Sequence, residues 1–584
     1  MNYHWNLQDL FIDDTAWEEA FAAFRKNAEE LENYRGRLGE SAKTLLEFLE
    51  KSEALSVQLD PISNYANRKS DEDTRVSTYQ AMCDRLMAAC VEAQEKLSFE
   101  LPELMALEDD LLARFYQDEP KLEGFRRYLT RQRRKKPHIL SPECEALLAS
   151  AGQMAEAPDT IYSMLCDADL TFEDAMDGNG QSHPLRQGTY ISYLMSEDRT
   201  LRASAFASMY GAYAKHENSL AATLSAQVKT LQFYAQARRF TSPLEASLEE
   251  NEVPEAVYHS LIEEVNRRLP SLHRYFSLRK RVMGLEELHM YDLYCPMAAG
   301  VGEEIPYEKA QETVKAALAP LGQEYLDILQ TGFDGGWIDV YEQPGKRSGA
   351  YSAGARVHPY VLLNYTGTLD DQFTLAHEMG HAIHSFLSNR TQRPMDADYV
   401  IFVAEVASTC NEALLMEYLL QKEQDKAKRA YLLTHYLEQF RTTLYRQTMF
   451  AEFELAIAQN HAAGVALTAE KLKGLYYALV RKYHGESVVC DREIEMEWAR
   501  IPHFYYDYYV YQYATGFSAA IALADSILNK NGAGSYLRFL SSGCKAEPIE
   551  LLKLAGVDLS TPAPVAQALN QFDALLDELE ALLS

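Results

Sequence analysis

The chain has 584 residues, and its 56 lysines and arginines against 86 aspartates and glutamates give it a net charge of −30. A chain this acidic offers no broad positive surface for phosphates, so no nucleic-acid partner is expected. Its eight cysteines are scattered without a Cys-x-x-Cys pair, and neither a cysteine zinc site nor a disulfide framework is indicated. The N-terminus lacks a signal-peptide pattern and no run of about 20 apolar residues occurs, which predicts a cytoplasmic protein that does not associate with membranes.

Apolar residues recur at helical spacing along most of the chain, beginning with a charged, heptad-like region at residues 15–125. The turn-rich segment at 177–184 predicts a boundary between an N-terminal helical region, residues 1–185, and a second region, residues 186–584. The pattern is again helical after residue 396. The fold class is therefore predicted to be mostly α.

Strand signals are few and lie close together. Short runs with aromatic or β-branched residues occur at 337–341, 349–352 and 360–365, separated by glycine and proline. They predict a small sheet just before a helix at 368–388, which begins with Thr368 as its cap and with acidic residues in its first turn.

The predicted helix at 368–388 contains the sequence His-Glu-Met-Gly-His, residues 377–381. At 3.6 residues per turn, His377 and His381 stand one turn apart on one face, which is the spacing that lets two imidazoles bind one zinc ion. Glu378 lies beside them and is free to take a proton. His384 falls on the same face, and three histidines together are hard to explain by packing alone.

A catalytic zinc site held by two histidines needs a third protein ligand and an open position. A second helix is predicted at 398–421, and Glu405, Ser408 and Glu412 share one of its faces. The apolar neighbours of Glu405 imply burial, and a buried carboxylate needs a partner such as a metal. Glu405 is therefore the leading third ligand, while Glu412 and His384 are expected to orient ligands through hydrogen bonds.

A tyrosine-rich segment follows His503, with six tyrosines in the nine positions 505–513. Each buried phenol needs a hydrogen-bond partner, so these are too many for a dry core. The functional interpretation is a set of donors facing a peptide and its developing oxyanion, with His503 the strongest candidate. The alternative is an amphipathic aromatic helix in the interior between two lobes.

The residues Phe373 to His384, Ala404 to Ser408 with Glu412, and His503 with its tyrosines resemble the thimet oligopeptidase-type zinc peptidases, and among them the oligoendopeptidase F group. The resemblance implies an elongated, two-lobed, mostly helical protein with a deep central channel. It also implies one zinc ion per chain at the floor of that channel, and hydrolysis of internal bonds in short oligopeptides.

The resemblance further assigns roles to individual residues. His377, His381 and Glu405 would hold the zinc, and Glu378 would be the general base. His503 and tyrosines would bind the substrate carbonyl, but the register stays open. Counting without a gap from His503 favours Tyr508, whereas aligning the Tyr-x-Tyr pair favours Tyr506 and Tyr513.

The strand predicted at 349–352 is expected to pair with the substrate through Gly349, Ala350 and Tyr351, as an added strand. Two alternatives to the endopeptidase remain. One is a zinc metallocarboxypeptidase on a similar helical fold, which would need a cationic group for the terminal carboxylate. The other is a non-catalytic helical peptide-binding protein with a structural zinc site, which the intact Glu378 disfavours. The oligomeric state is not predicted.

Overall fold

The computed structural model describes residues 3–297 and 304–583, and most of these residues are helical. The strands within them are two or three residues long. The predicted mostly α class is thus confirmed, with only small sheets. No helix among the described residues is long and apolar enough to cross a membrane.

The chain forms two compact units, and each is assembled from three separate stretches of sequence. The first unit comprises Met1–Pro137, Gly302–Tyr418 and Leu523–Val557. The second unit comprises His138–Val301, Leu419–Ala522 and Asp558–Ser584.

The first unit begins with a helical layer around a continuous apolar core. Trp17 and Phe21 stack at 4.8 Å in this core, and Tyr360 and Leu362 of the small sheet join it. The helices that lie wholly in this unit are Asp14–Leu31, Ala42–Glu72, Ser77–Lys96, Glu100–Ala106, Asp109–Asp118, Arg126–Arg134, Tyr307–Ala317, Gln323–Asp334, Leu369–Thr391, Pro394–Ala397, Ala533–Leu540 and Pro548–Leu554.

The sheet of the first unit has three strands in the order Ile338–Asp339, Tyr360–Leu362, Tyr351–Ala353. The central strand runs parallel to the first and antiparallel to Tyr351–Ala353. We call Tyr351–Ala353 the edge strand, because only one of its sides pairs with a described strand. The sheet contacts helix Leu369–Thr391, as the sequence predicts.

The second unit is also helical, with two minimal strand pairs. Ala175–Met176 pairs antiparallel with Ser182–His183, and Leu288–His289 pairs parallel with Val488–Val489. Its helices are Pro142–Ala155, Ala157–Ser163, Gln187–Leu194, Arg199–Ala214, Glu217–Ala237, Pro243–Glu250, Glu255–Arg267, Leu269–Val282, Lys426–Gln439, Arg446–Ala462, Ala469–His484 and Ala563–Leu583. Two more helices, Ile401–Lys422 and Tyr511–Asn529, include residues of both units.

Candidate metal centre

The helix that carries His377 and His381 runs from Leu369 to Thr391, and we call it the HEMGH helix. Thr368 caps it as predicted. The Asp371 backbone N–H donates to Thr368 Oγ1 at 3.1 Å, and the Thr368 N–H donates to Asp371 Oδ2 at 2.9 Å. This reciprocal capping box fixes the first turn, and with it the direction in which the histidines point.

A second helix, Ile401–Lys422, packs closely on the HEMGH helix, and we call it the Glu405 helix. The two backbones meet at Gly380, where an added Cβ would lie 2.7 Å from Ser408 Cα. Asn411 Nδ2 donates to the Ala376 carbonyl at 3.0 Å, and Tyr325 donates to Asn411 Oδ1 at 2.9 Å. A glycine and a buried amide therefore set the spacing and the register of the two helices.

That packing brings three predicted ligands together. The ligand atoms of His377, His381 and Glu405 all lie within 4.8 Å of one another. Nε2 of His377 lies 3.7 Å from Glu405 Oε2, and Nε2 of His381 lies 3.8 Å from Glu405 Oε1. The imidazole rings are 4.9 Å apart and inclined at 81°, so their Nε2 atoms converge on the carboxylate.

Glu412 supports this group from one turn further along its helix. Its carboxylate accepts a short hydrogen bond from Nδ1 of His377. Because Nδ1 is held in this way, Nε2 of His377 is left as the nitrogen available to a metal. The structure thus places Glu412 where an orienting partner is predicted.

Burial and charge act in opposite directions on the pKa values of this cluster. Burial lowers the pKa of His377, but the Glu412 hydrogen bond and the charges of Glu378 and Glu405 outweigh it and raise this pKa to about 9. Burial and the neighbouring His377 lower the pKa of His381 to about 3. Burial raises the pKa of Glu405.

Glu378 is only 7% exposed. Burial raises its pKa to about 7, with Glu405 and Glu412 adding to the shift and His377 opposing it. Its place next to His377 in the helix puts its carboxyl beside the ligands.

His384 lies one turn beyond these residues, 1% exposed, with its ring stacked on Tyr399 at 3.7 Å. Its Nδ1 has no hydrogen-bond partner among the described residues. Because no hydrogen bond joins it to a ligand there, an orienting role for His384 stays a prediction.

The predicted substrate strand is displaced by two residues from its expected start. Gly349 and Ala350 are exposed and precede the edge strand, which begins at Tyr351. Gly349 has φ +84°, a left-handed conformation that favours glycine. The Tyr351 hydroxyl donates to Asp71 Oδ2 at 2.5 Å, so this side chain is anchored in the first unit.

The structure of the second unit groups His503 with three tyrosines. The ring of His503 lies 5.5 Å from Tyr506, 6.3 Å from Tyr509 and 5.9 Å from Tyr513. The Tyr513 hydroxyl is 3.4 Å from Nε2 of His503. Burial lowers the pKa of His503, so its imidazole is held neutral.

Tyr508 lies apart from this group. It is 4% exposed and packs edge-on against Tyr258 at 5.8 Å. Asp507 and Tyr508 both adopt left-handed backbone angles, with φ +52° and +56°. This turn directs Tyr508 into the interior, while the exposed Tyr506 stays beside His503.

Side chains from other helices hold the left-handed turn. The Tyr508 N–H donates to Glu454 Oε1 at 3.2 Å, and Gln227 Nε2 donates to Tyr505 O at 3.2 Å and to Asp507 Oδ1 at 3.3 Å. Glu454 is 5% exposed, and burial raises its pKa far above the usual range. Burial thus favours the uncharged form of this acceptor.

The family model for peptidase family M3 matches residues 192–571, which is more than half of the chain. The chain belongs to peptidase family M3. A second M3-associated match, to the model described as oligopeptidase F, covers residues 103–172. The predicted domain boundary near residue 185 falls between the two matches and stays a prediction.

Curated M3-type relatives extend over nearly the whole chain. Oligopeptidase PepF of Bacillus subtilis is 43% identical over 582 residues, covering 99% of this chain and 87% of the relative. Group B oligopeptidase PepB of Streptococcus agalactiae is 38% identical over 585 residues, covering 100% of this chain and 97% of the relative. This M3 chain is accordingly a metallo-oligopeptidase, which confirms the predicted enzyme class.

Solved structures agree with this M3 assignment. Oligoendopeptidase-F from Enterococcus faecium matches with a TM-score of 0.75 and 38% identity, covering 97% of this chain and 99% of that chain. A protein from Chlamydophila abortus matches with a TM-score of 0.94 and 36% identity, covering 99% of this chain and 98% of that chain. The mostly helical fold is therefore shared with the oligoendopeptidase-F group.

The sequence interpretation missed several supporting residues of this M3 chain. Gly380 lies inside the zinc motif, yet the motif does not reveal that it touches a second helix. Asn411 is an amide on a strongly apolar helix, and that contrast could have marked it. Tyr509 lies in the tyrosine-rich segment at 505–513, but the sequence does not distinguish it from its neighbours. Nothing in the sequence signals Gln227 or Glu454, because their roles depend on contacts between distant segments.

Proposed function

We propose that this chain is a zinc-dependent endopeptidase that hydrolyses internal bonds of short oligopeptides. The observation that carries the proposal is the convergence of His377, His381 and Glu405, whose ligand atoms lie within 4.8 Å of one another, with Glu378 beside them. Membership of family M3 and the oligopeptidase relatives support the substrate class.

The donor set fits zinc. Two imidazole nitrogens and one carboxylate leave a fourth position open, as catalytic zinc sites do. Tetrahedral geometry with metal–ligand distances of about 2.0–2.1 Å requires ligand atoms ~3.3 Å apart. The separations of 3.7 and 3.8 Å between the histidine nitrogens and Glu405 are close to that value. When bound there, zinc lowers the pKa of water to about 7 and polarises a carbonyl group.

The residues of the chain then have distinct tasks. Glu378 accepts the proton of the attacking water and delivers it to the leaving amine. Glu412 holds the His377 ring in place. By the family resemblance, His503 with Tyr506 and Tyr513 donates hydrogen bonds to the developing oxyanion. The grouping of Tyr506 and Tyr513 with His503 favours them over Tyr508 for this task.

The edge strand is proposed to bind the peptide backbone. Its unpaired side can accept an extended chain through main-chain hydrogen bonds, which give affinity without restricting the side chains. Gly349→Pro is a poor test of this role, because proline cannot adopt the φ of +84° found there. The cytoplasmic location predicted from the sequence, and the absence of a nucleic-acid partner, stay predictions.

The decisive experiment uses an internally quenched oligopeptide and the Glu378→Gln variant. We expect wild-type activity to disappear on chelation and to return with zinc. The variant should lose about 10²–10⁴-fold in kcat, because it cannot take a proton, while it keeps one zinc ion per chain. Metal content by atomic emission and products by mass spectrometry complete the measurement.

Glu47→Gln is the matched control, since Glu47 is an exposed acid on helix Ala42–Glu72 whose nearest cationic partner is Lys43 at 3.8 Å. It should behave as wild type. Full activity in Glu378→Gln would contradict the mechanism. An endopeptidase cuts an internal bond and releases two fragments. Stepwise release of single C-terminal residues would instead contradict the endopeptidase assignment.

A further inference from the structure

We propose that a polar pocket beside the metal centre is a specificity subsite that binds a cationic group of the substrate peptide. The pocket has a volume of about 290 Å³. We call it the Asp60 pocket. Its lining includes Asp60, Gly354, Arg356, Ser385, Asn389 and Asp398. The inference rests on the endopeptidase function proposed above.

The Asp60 pocket continues the face of the HEMGH helix that carries His381. Ser385 and Asn389 follow His381 by four and eight residues. At 1.5 Å and 100° per residue, they stand about 6 and 12 Å further along the helix, turned by about 40° and 80° from His381. The pocket therefore opens one to two turns beyond a predicted zinc ligand.

The edge strand leads into the same pocket. Gly354 follows the last strand residue, Ala353, directly. A Cβ on Gly354 would lie 3.0 Å from Ser385 Oγ, so the end of the strand approaches the HEMGH helix at this point. An extended peptide advances about 3.3 Å per residue. A substrate lying along the edge strand would thus reach the pocket about two to four residues from the bond being cut.

The charges of the pocket favour a cation. Asp60 and Asp398 both line it, and neither forms an ion pair within 4.0 Å with any described residue. Asp60 Oδ2 accepts the backbone N–H of Arg356 at 3.0 Å, and its Oδ1 accepts from the neutral amide of Asn64 at 3.3 Å. Burial raises the pKa of Asp60, the backbone hydrogen bond and the charge of Arg356 oppose that shift, and the charge of Asp398 adds to it. A bound cation would offset the effects of burial and of Asp398.

Arg356 is the cationic side chain of the pocket, and its guanidinium is hydrogen-bonded to Asn389 rather than to either acid. Its guanidinium donates to Asn389 Oδ1 at 3.4 Å and to the Asn389 carbonyl at 3.3 Å. One guanidinium against two carboxylates leaves the pocket negative. A C-terminal carboxylate would be repelled here, so the pocket does not supply the anchor that a carboxypeptidase needs.

Two peptide groups carry the required positive charge: a lysine or arginine side chain, and the N-terminal ammonium. The experiment separates them with matched quenched peptides. One series replaces a single neutral residue by lysine or by norleucine, its uncharged analogue, at each position within four residues of the cleaved bond. A second series places the free or acetylated N-terminus at the same distances.

The enzymes compared are wild type, Asp398→Asn, Asp60→Asn and the double variant, with Glu47→Gln as control for the change in net charge. Asparagine at position 60 can still accept the Arg356 N–H, and circular dichroism checks that each variant keeps the wild-type fold. We expect wild type and Glu47→Gln to prefer the cationic peptide about tenfold in kcat/KM at one position. Each single variant should reduce that ratio, and the double variant should bring it to about one.

Binding to Glu378→Gln gives a readout that does not need turnover. Fluorescence anisotropy should show that Glu378→Gln binds the lysine peptide more tightly than the norleucine peptide. When Asp60→Asn and Asp398→Asn are added to Glu378→Gln, this difference in affinity should disappear. No preference at any position, or a preference that survives the double variant, would overturn the subsite. Zinc-dependent cleavage of neutral peptides alongside such a result would leave the endopeptidase function intact. Absence of any cleavage would count against that function instead.

Discussion

The metal centre and the His503 segment solve the problem of placing reactive side chains in different ways. In the metal centre, His377 and His381 come from one helix and Glu405 from another, and regular helical geometry fixes their directions. In the His503 segment, a short 3-10 turn, Pro502–Tyr505, is followed by two left-handed residues. The helical spacing of its residues determines the geometry of the metal centre, whereas contacts from distant helices determine the backbone conformation of the His503 segment.

The difference has an energetic side. Left-handed angles at Asp507 and Tyr508 cost free energy, roughly 1–2 kcal/mol for each residue that is not glycine. Gln227 and Glu454 hold the turn in that conformation. The two helices of the metal centre need no such clamp, because Gly380 lets them pack at close range without strained backbone angles.

The largest expected change in activity concerns the tyrosines of the His503 segment. Tyr513→Phe should lower kcat by about 10²–10³-fold if its hydroxyl donates to the oxyanion, with little change in zinc content. Tyr508→Phe is the matched control, since that ring packs on Tyr258 in the interior. Steady-state kinetics on one quenched peptide measure both. An equal loss in the two variants would contradict the separation of Tyr508 from the His503 group.

A smaller effect is expected in the metal centre. Glu412→Gln removes the charge that holds Nδ1 of His377, and should weaken zinc binding by about 10–100-fold. Competition with a chromogenic chelator measures the affinity. Activity at saturating zinc should recover most of its wild-type value. If zinc affinity is unchanged, Glu412 does not orient His377.

The smallest effect tests the clamp on the left-handed turn. Glu454→Leu leaves the Tyr508 N–H without its acceptor, and should lower the free energy of unfolding by about 1–3 kcal/mol. Glu454→Gln keeps an acceptor oxygen and, because burial favours the uncharged form of Glu454, should be close to wild type at neutral pH. Urea unfolding followed by circular dichroism gives both values. Equal stability of the two variants would show that the hydrogen bond does not support the turn.

The sequence predicts the helix-borne part of the site well. The helix expected at 368–388 is observed at Leu369–Thr391, with Thr368 as its cap. His377, His381 and Glu405 come together because helical periodicity and the demand of a buried carboxylate for a partner are local rules.

The choice among the tyrosines could not be made from the sequence. Asp507 is a residue type that tolerates the left-handed region, but Tyr508 is not, so the sequence does not predict two left-handed residues in a row there. The turn exists because Gln227 and Glu454, hundreds and tens of residues away in sequence, meet it in space. The start of the edge strand at Tyr351 was likewise obscured, since the glycine at 349 supports a turn as readily as a strand.

The interleaving of the first unit bears on how the protein is made. The HEMGH and Glu405 helices pack on helix Ala533–Leu540, where the Tyr536 hydroxyl donates to the Ala407 carbonyl at 3.3 Å and Phe539 lies 5.5 Å from the His384 ring. During synthesis at about 5–20 residues per second, the last metal ligand therefore emerges roughly ten seconds before this support. Acquisition of the metal is expected to be a late, post-translational event, after the helices near the N-terminus have already formed their core.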